Sequence, residues 1–208
     1  VAVYDRVADL RLCVDEVSHR QQRTETTGDF TRVSTTVQLA GPDDDGQRHA
    51  GAGEDVSYDG TDQERVARVL PDLPLAGTYT LRTFASHLDA LDLFPEPPAR
   101  EAARHYRRWA LESAALDLAL RQAGLSLGEA LERRYDPVRF VVSPGLGRGE
   151  GPPTAGPVRD LLERHPDLGV KLDATADWDD DLVAALSATG AVEVVDLKGH
   201  YEDADVAT

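Results

Sequence analysis

The sequence predicts an α+β module over residues 1–134, followed by the opening of a β/α structure over residues 135–208. Two observations predict this division. The first part has alternating extended segments and then long helical stripes, whereas the part after Pro137 repeats strand and helix in turn, an order typical of a parallel sheet. A complete (β/α)₈ barrel takes roughly 250 residues, so we expect an incomplete TIM-type barrel with about three of its eight strands.

The first part begins with extended segments that predict an antiparallel meander. Val3 to Val17 alternates as a strand does, and "AGAGEDVSY" resumes an extended chain after the turn-rich "AGPDDDGQRH". In "FTRVSTTVQL" the period of two places four residues on one face: Val33, Thr35, Val37 and Leu39. Cys13 occupies a position that predicts a buried strand residue, and a single cysteine cannot form an internal disulfide.

Three helices are predicted in the same part. "TDQE" at Thr61 to Glu64 fits a capping box before an apolar stripe, and "FASHLDALDL" predicts a second, shorter helix. The longest helix is expected from about Pro98 to Ala123, closed by Gly124. Its predicted apolar stripe contains Tyr106, Trp109, Leu116 and Leu120.

The second part places two lysine and aspartate pairs at the ends of predicted parallel strands. The strands are "VRFVVS", "GVKLDAT" and "VEVVDLKG". Because side chains alternate along a strand, Lys171 shares a face with Asp173, and Asp196 shares one with Lys198. The opposite face, which we expect helices to cover, contains Leu172, Val195 and Leu197. In barrels of this type, reactive groups lie at the carboxyl ends of strands.

Lys171 and Lys198 are the two lysines of a chain that otherwise uses twenty arginines. An arginine stays protonated, whereas a lysine can lose its proton, so lysine at two strand ends suggests acid/base chemistry. The alternative is that each lysine simply pairs with its neighbouring aspartate. Asp196 suits Mg²⁺ together with partners from later strands, whereas Asp177 or Asp179 more often caps the following helix.

Composition and charge exclude several classes of function. A net charge of -16 argues against binding to nucleic acid or to an anionic membrane. No apolar run approaches a membrane span and no signal pattern opens the chain, which predicts a cytoplasmic protein. "GAGED" lacks the spacing of a phosphate cradle, and the histidines lack metal-ligand spacing. The chain begins with Val1 and has no methionine, so we expect a fragment or a processed chain.

Four features of the sequence resemble the enolase superfamily, on its mandelate racemase and muconate cycloisomerase side. "RVSTTVQLAG" with "GAGEDVSYDG" resembles the hairpin and G-x-G-E segment of the capping domain, and "RWALESAALDLALRQAGLSLGEAL" resembles the helix that leads into the barrel. "VKLDAT" matches the second barrel strand with its K-x-K motif. "VEVVDLKG" matches the third strand, which has the first metal-binding aspartate.

The resemblance implies a Mg²⁺-dependent lyase or isomerase that abstracts the proton α to the carboxylate of a small substrate. Lys171 matches the first lysine of K-x-K, Asp196 the metal ligand, and Lys198 is a candidate for the missing amine. Asp173 replaces the second lysine, and it would add a metal ligand, act as the base or mark lost activity. The other metal ligands would lie beyond Thr208.

The resemblance also assigns a substrate loop and a state of assembly. "RTETTGDFTR" matches a capping-domain loop that closes over the substrate, with four candidate substrate contacts: Thr26, Asp29, Phe30 and Arg32. Members of the family often form homo-oligomers. The alternative function, from another class, is a barrel homologue without activity that serves as a binding or assembly module.

Overall fold

The structure of the protein, a computed structural model, describes residues 2–25, 31–94, 96–147 and 151–197. The chain divides into two compact units, residues 1–135 and residues 136–208. Each unit has a hydrophobic core of its own. The first unit is α+β with antiparallel sheets, and the second alternates strands and helices.

Two antiparallel sheets form the β part of the first unit. Its described strands are β1 (Arg11–Val14), β2 (Glu16–Glu25), β3 (Thr31–Pro42), β4 (Arg48–Asp55) and β5 (Gly77–Thr80). The predicted meander is confirmed as the three-stranded sheet β2-β3-β4, whereas β1 pairs with β5 in a second sheet. The predicted face of β3 is also confirmed, because Val33, Thr35, Val37 and Leu39 are all buried.

The expected strand from Val3 to Val17 is wrong in its first half. Residues Tyr4–Arg6 form a short 3₁₀ helix, after which Val7 and Ala8 are buried. The strand begins only at Arg11 because its partner β5 extends from Gly77 to Thr80, opposite residues 11–14. Cys13 is half-buried in β1 rather than fully buried.

Four α-helices lie in the described part of the first unit: α1 (Gly60–Val69), α2 (Leu81–Asp89), α3 (Ala102–Gln122) and α4 (Leu127–Ala130). The capping box predicted at Thr61 is wrong. Asp59 is the N-cap of α1, and its carboxylate accepts hydrogen bonds from the backbone N–H groups of Thr61 and Asp62. The end predicted for α3 is confirmed, since Gly124 follows it with a φ of 66°.

The long helix α3 packs on the sheet through a face different from the predicted one. Of the predicted stripe, Leu120 is buried, Tyr106 and Leu116 are half-buried, and Trp109 is 56% exposed. The face against β4 consists mainly of small residues, such as Ala110 and Ala114. A Cβ added at Gly53 would lie 2.0 Å from the carbonyl oxygen of Ala110, so the backbones approach too closely for large side chains.

The second unit is a parallel sheet with two helices between its strands. Its described elements are β6 (Val141–Val142), α5 (Gly156–Arg164), β7 (Gly169–Asp173), α6 (Asp180–Ser187) and β8 (Val192–Asp196). The strands lie in the order β6-β7-β8 and both pairs are parallel, as predicted. The first strand is shorter than "VRFVVS".

The burial predicted for these strands is right for β7 and wrong for β8. Leu172 is buried with Val170, whereas Val195 is 49% and Leu197 65% exposed. Helices α5 and α6 supply Val158, Leu182 and Leu186 to the core that covers Leu172. No helix in the described part of the chain is both long and apolar enough to cross a membrane.

Candidate functional site

The carboxyl ends of β7 and β8 bring together Lys171, Asp173 and Asp196. In the parallel pairing, Asp173 lies directly opposite Asp196. An irregularity produces this alignment: Val170 pairs with Val192, but Lys171 pairs with Val194, so Glu193 is an extra residue in β8. Without that shift, Asp173 would face Val195 and Asp196 would point to the other face, because a slip of one residue reverses every side chain.

The ammonium group of Lys171 binds both carboxylates. Its Nζ lies 2.8 Å from Oδ2 of Asp196 and donates a hydrogen bond to Oδ1 of Asp173. The hydrogen bond to Asp173, and after it the hydrogen bond to Asp196, raises the pKa of Lys171 above its ordinary value. In this arrangement Lys171 is a cation that donates hydrogen bonds. A role as a base would require its ion pairs to open.

A cleft of about 600 Å³ opens beside Asp173. One side of it is the segment that follows β6, and the other is the segment between β7 and α6. Its wall includes Pro144, Leu146, Asp173, Thr175, Asp177 and Trp178. The cleft therefore combines one carboxylate of the lysine cluster with an indole ring and a second acidic side chain.

The acidic residues after β7 have separate roles. Asp179 is the N-cap of α6, as predicted for Asp177 or Asp179, because its Oδ1 accepts a hydrogen bond from the backbone N–H of Leu182 at 2.8 Å. Asp177 instead accepts a hydrogen bond from the hydroxyl of Thr175 and lines the cleft. The sequence placed both residues after a strand but did not show which one faces the cleft.

The described residues do not by themselves fit Mg²⁺. Nowhere in residues 2–25, 31–94, 96–147 and 151–197 do three or more His, Cys, Asp or Glu side chains converge as a metal ion requires. Mg²⁺ demands near-octahedral oxygen coordination. Asp173 and Asp196 supply two carboxylates, and the ammonium of Lys171 is bound to both.

Of the five remaining predicted site residues, the structure describes one. Thr26, Asp29, Phe30 and Lys198 lie outside the described residues. Arg32 lies on β3 in the first unit, where its guanidinium carbon is 5.6 Å from the ring centroid of Tyr58.

A buried polar cluster in the first unit was missed by the sequence analysis. The Nε of Arg107, on α3, donates a hydrogen bond to Oδ2 of Asp55 at 3.0 Å. Its Nη2 and Nη1 donate to the backbone oxygens of Asp62 and Leu93, respectively. Its guanidinium carbon lies 3.6 Å from the ring centroid of Phe94. Burial lowers the pKa of Arg107 and the charge of Asp55 opposes this effect. The signal in the sequence was an arginine at the helical spacing of the buried alanines of α3.

Solved structures similar to this chain share its fold at low sequence identity. An isomerase from Streptomyces coelicolor A3(2) aligns with a TM-score of 0.55 and 20% identity, over 89% of this chain and 52% of that protein. A mandelate racemase/muconate lactonizing protein from Herpetosiphon aurantiacus aligns with a TM-score of 0.54 and 16% identity, over 92% and 53%. Muconate lactonizing enzyme from Pseudomonas putida aligns with a TM-score of 0.54 and 16% identity, over 91% of this chain and 53% of that enzyme.

The expected similarity to mandelate racemase and muconate lactonizing proteins is therefore present in the fold. The chain spans about half the length of each of them. No curated protein matches the chain in sequence. Residues 5–130 match the N-terminal domain, and residues 134–208 the C-terminal domain, of one described family. These matches cover more than half of the chain, and the chain therefore belongs to the family described as Domain of unknown function (DUF8230).

Proposed function

We propose that this chain is the capping domain and first barrel strands of an enolase-superfamily isomerase or lyase that acts on a small carboxylate. The observation that carries the proposal is the cluster of Lys171, Asp173 and Asp196 at the carboxyl ends of adjacent parallel strands, beside a cleft. Strand ends of this kind hold the reactive groups of β/α barrels. The proposed domains are residues 1–134 and residues 135–208.

The proposed reaction removes the proton on the carbon next to the substrate carboxylate. Asp173 is the member of the cluster that lines the cleft, so we assign it as the proton acceptor. The α-proton passes to Asp173 and the electron pair of the C–H bond forms an enediolate. The ammonium of Lys171, adjacent to Asp173, stabilises the new negative charge.

Three further assignments complete the proposal. Lys198 is the candidate second amine, and Thr26, Asp29, Phe30 and Arg32 are the candidate substrate contacts. Asp196 is the residue at which the resemblance places Mg²⁺. Since the described residues do not fit that ion, no step of the reaction is assigned to it.

Exchange of the α-proton with solvent deuterium tests the proposal. The protein is isolated from its natural source and incubated in D₂O with a panel of small carboxylates that have an α C–H bond. Exchange of the α-proton is followed by NMR. We expect exchange with at least one of them, and a loss of roughly 10²-fold or more in Asp173→Asn, the range that general acid/base catalysis supplies.

Arg139→Met is the matched control for this experiment. Arg139 pairs with Glu193 in the same unit at 2.7 Å and has no assigned role, so its removal should leave exchange unchanged. The absence of exchange with every carboxylate, or undiminished exchange in Asp173→Asn, would contradict the proposed reaction.

A second candidate function is a binding or assembly module that kept the fold without the chemistry. The observation that favours it is the replacement of the second lysine by Asp173, which pairs with Lys171. This candidate predicts that small carboxylates bind, as seen by chemical-shift changes of residues lining the cleft, without any exchange of the α-proton.

A further inference from the structure

The cation of the strand-end cluster is part of the chain itself. Lys171 lies between a carboxylate of its own strand and one of the neighbouring strand, with Nζ 2.8 Å from Oδ2 of Asp196. Asp173 and Asp196 are directly opposite each other in the sheet, so their like charges would repel without a cation between them. The ammonium supplies that charge.

We infer that the Lys171 ammonium replaces a divalent cation at the Asp173 and Asp196 pair, so that the native chain does not bind Mg²⁺ there. A metal ion on the same oxygens would lie beside the ammonium, and the two positive charges would repel each other. Mg²⁺ also needs oxygens at about 2.0–2.1 Å in near-octahedral geometry and dehydrates reluctantly. The lysine faces no such demand, since one tethered group pairs with both carboxylates.

This inference is independent of turnover, because it concerns which cation neutralises the pair. It separates the chain from the metal-dependent chemistry that the family resemblance implies. It also gives Lys171 a role that arginine would fill less well: the ammonium is a compact point charge with rotatable donors, whereas the guanidinium is a broad planar fork.

Binding of Mn²⁺, measured by electron paramagnetic resonance, tests the inference without reference to activity. Mn²⁺ is the probe because it prefers the same oxygen ligands as Mg²⁺. We expect weak binding to the native protein and at least tenfold tighter binding to Lys171→Met, in which the carboxylates remain and the ammonium is gone. Lys171→Met combined with Asp196→Asn should return to weak binding.

Two further variants control for charge and for folding. Lys171→Arg keeps the positive charge and should bind Mn²⁺ as weakly as the native protein does. Arg139→Met removes one cation from the same unit, where it pairs with the single carboxylate of Glu193, and should also leave binding weak. Circular dichroism checks the fold of each variant, and Lys171→Gln replaces Lys171→Met if the latter does not fold.

Two results would overturn the inference. One is tight Mn²⁺ binding by the native protein that Asp196→Asn abolishes, a measurement that does not depend on any lysine variant. The other is equal Mn²⁺ affinity of the native protein and of a folded variant without the ammonium. Neither result bears on α-proton exchange, so failure here is distinguishable from failure of the proposed reaction.

Discussion

At the scale of single residues, Arg107 holds together segments of the first unit that are distant in the sequence. Its side chain is 1% exposed and that of its partner Asp55 is 0% exposed. Asp55 also accepts hydrogen bonds from the backbone N–H and the hydroxyl of Ser57. Arg107 reaches the backbone of Asp62 and Leu93, so one side chain joins β4, α1 and the segment after α2.

Arg107→Met should lower the free energy of unfolding by about 3–5 kcal/mol, because it leaves the buried charge of Asp55 without its partner. Urea denaturation followed by circular dichroism measures this. Arg121→Met is the matched control: it breaks an exposed pair with Asp117 in the same helix, which is worth about 0.3–0.5 kcal/mol. Equal losses in the two variants would refute the structural role of Arg107.

Asp43 gives the turn between β3 and β4 a dependence on pH. The pKa of Asp43 lies below its ordinary value of 3.8, chiefly through its hydrogen bond with His49, while burial opposes this and the backbone N–H groups of Gln47 and Asp45 add to it. A carboxyl group whose pKa is lowered by folding stabilises the fold above its unfolded pKa. That contribution is lost as the pH falls through the folded pKa.

Asp43→Asn should therefore destabilise the protein at pH 7, and the difference from the native protein should shrink at an acidic pH below the ordinary pKa of 3.8. The midpoints of urea unfolding at the two pH values measure the effect. Asp45→Asn, in the same turn but exposed, should change neither midpoint appreciably. A difference that stays constant across this range would show that the charge of Asp43 is not responsible.

At the scale of elements, the contact between β4 and α3 depends on glycine. At Gly51 and Gly53 the backbone of α3 approaches closely, and a Cβ on Gly51 would lie 2.2 Å from the backbone nitrogen of Leu118. These glycines belong to "GAGED". In this structure their role is to admit a helix.

Gly53→Ala should destabilise the first unit by roughly 1–3 kcal/mol, because the helix must move away from the sheet to accommodate the methyl group. Thermal or urea unfolding measures the change. Gly60→Ala is the control, since a Cβ there meets nothing within 4 Å and alanine favours a helix. Equal free energies of unfolding for the two variants would show that α3 can move away from β4 without cost, contrary to this prediction.

At the scale of the whole molecule, one core supports the antiparallel sheets of the first unit and a separate core supports the parallel sheet of the second. The parallel sheet exposes apolar residues at its edge. Among the described strands, β8 pairs with β7 alone, and Val194, Val195 and Leu197 on or just after it are exposed. Unpaired apolar edges favour association between chains. The net charge of -16 opposes this association by repulsion.

Because of this apolar edge, the 208-residue chain should self-associate as its concentration rises. Val195→Lys should reduce the self-association, because a charged side chain on an edge strand hinders pairing. Light scattering after size-exclusion chromatography measures the mass. Val183→Lys on α6 is the matched control, since Val183 and Val195 are both 49% exposed. A monomeric native chain at all concentrations would contradict the prediction.

Much of the fold followed from patterns along the chain. The period of two identified the buried face of β3, and the alternation of strand and helix predicted the parallel order of β6, β7 and β8. The same patterns placed Lys171, Asp173 and Asp196 at strand ends. These features depend on neighbours in the sequence, so periodicity, capping residues and turns are enough to reveal them.

Only the tertiary structure decided how those elements meet. The extra residue Glu193 aligns Asp173 with Asp196 and lets one ammonium bind both carboxylates, which no strand shows by itself. Which face of α3 packs inward depends on the glycines of β4. The burial of Arg107 depends on its ion pair with Asp55, which is 52 residues away in the sequence. Contacts between residues distant in the sequence leave no local period, so the sequence determined the elements and their order, while packing determined the faces, the register and the charge of the site.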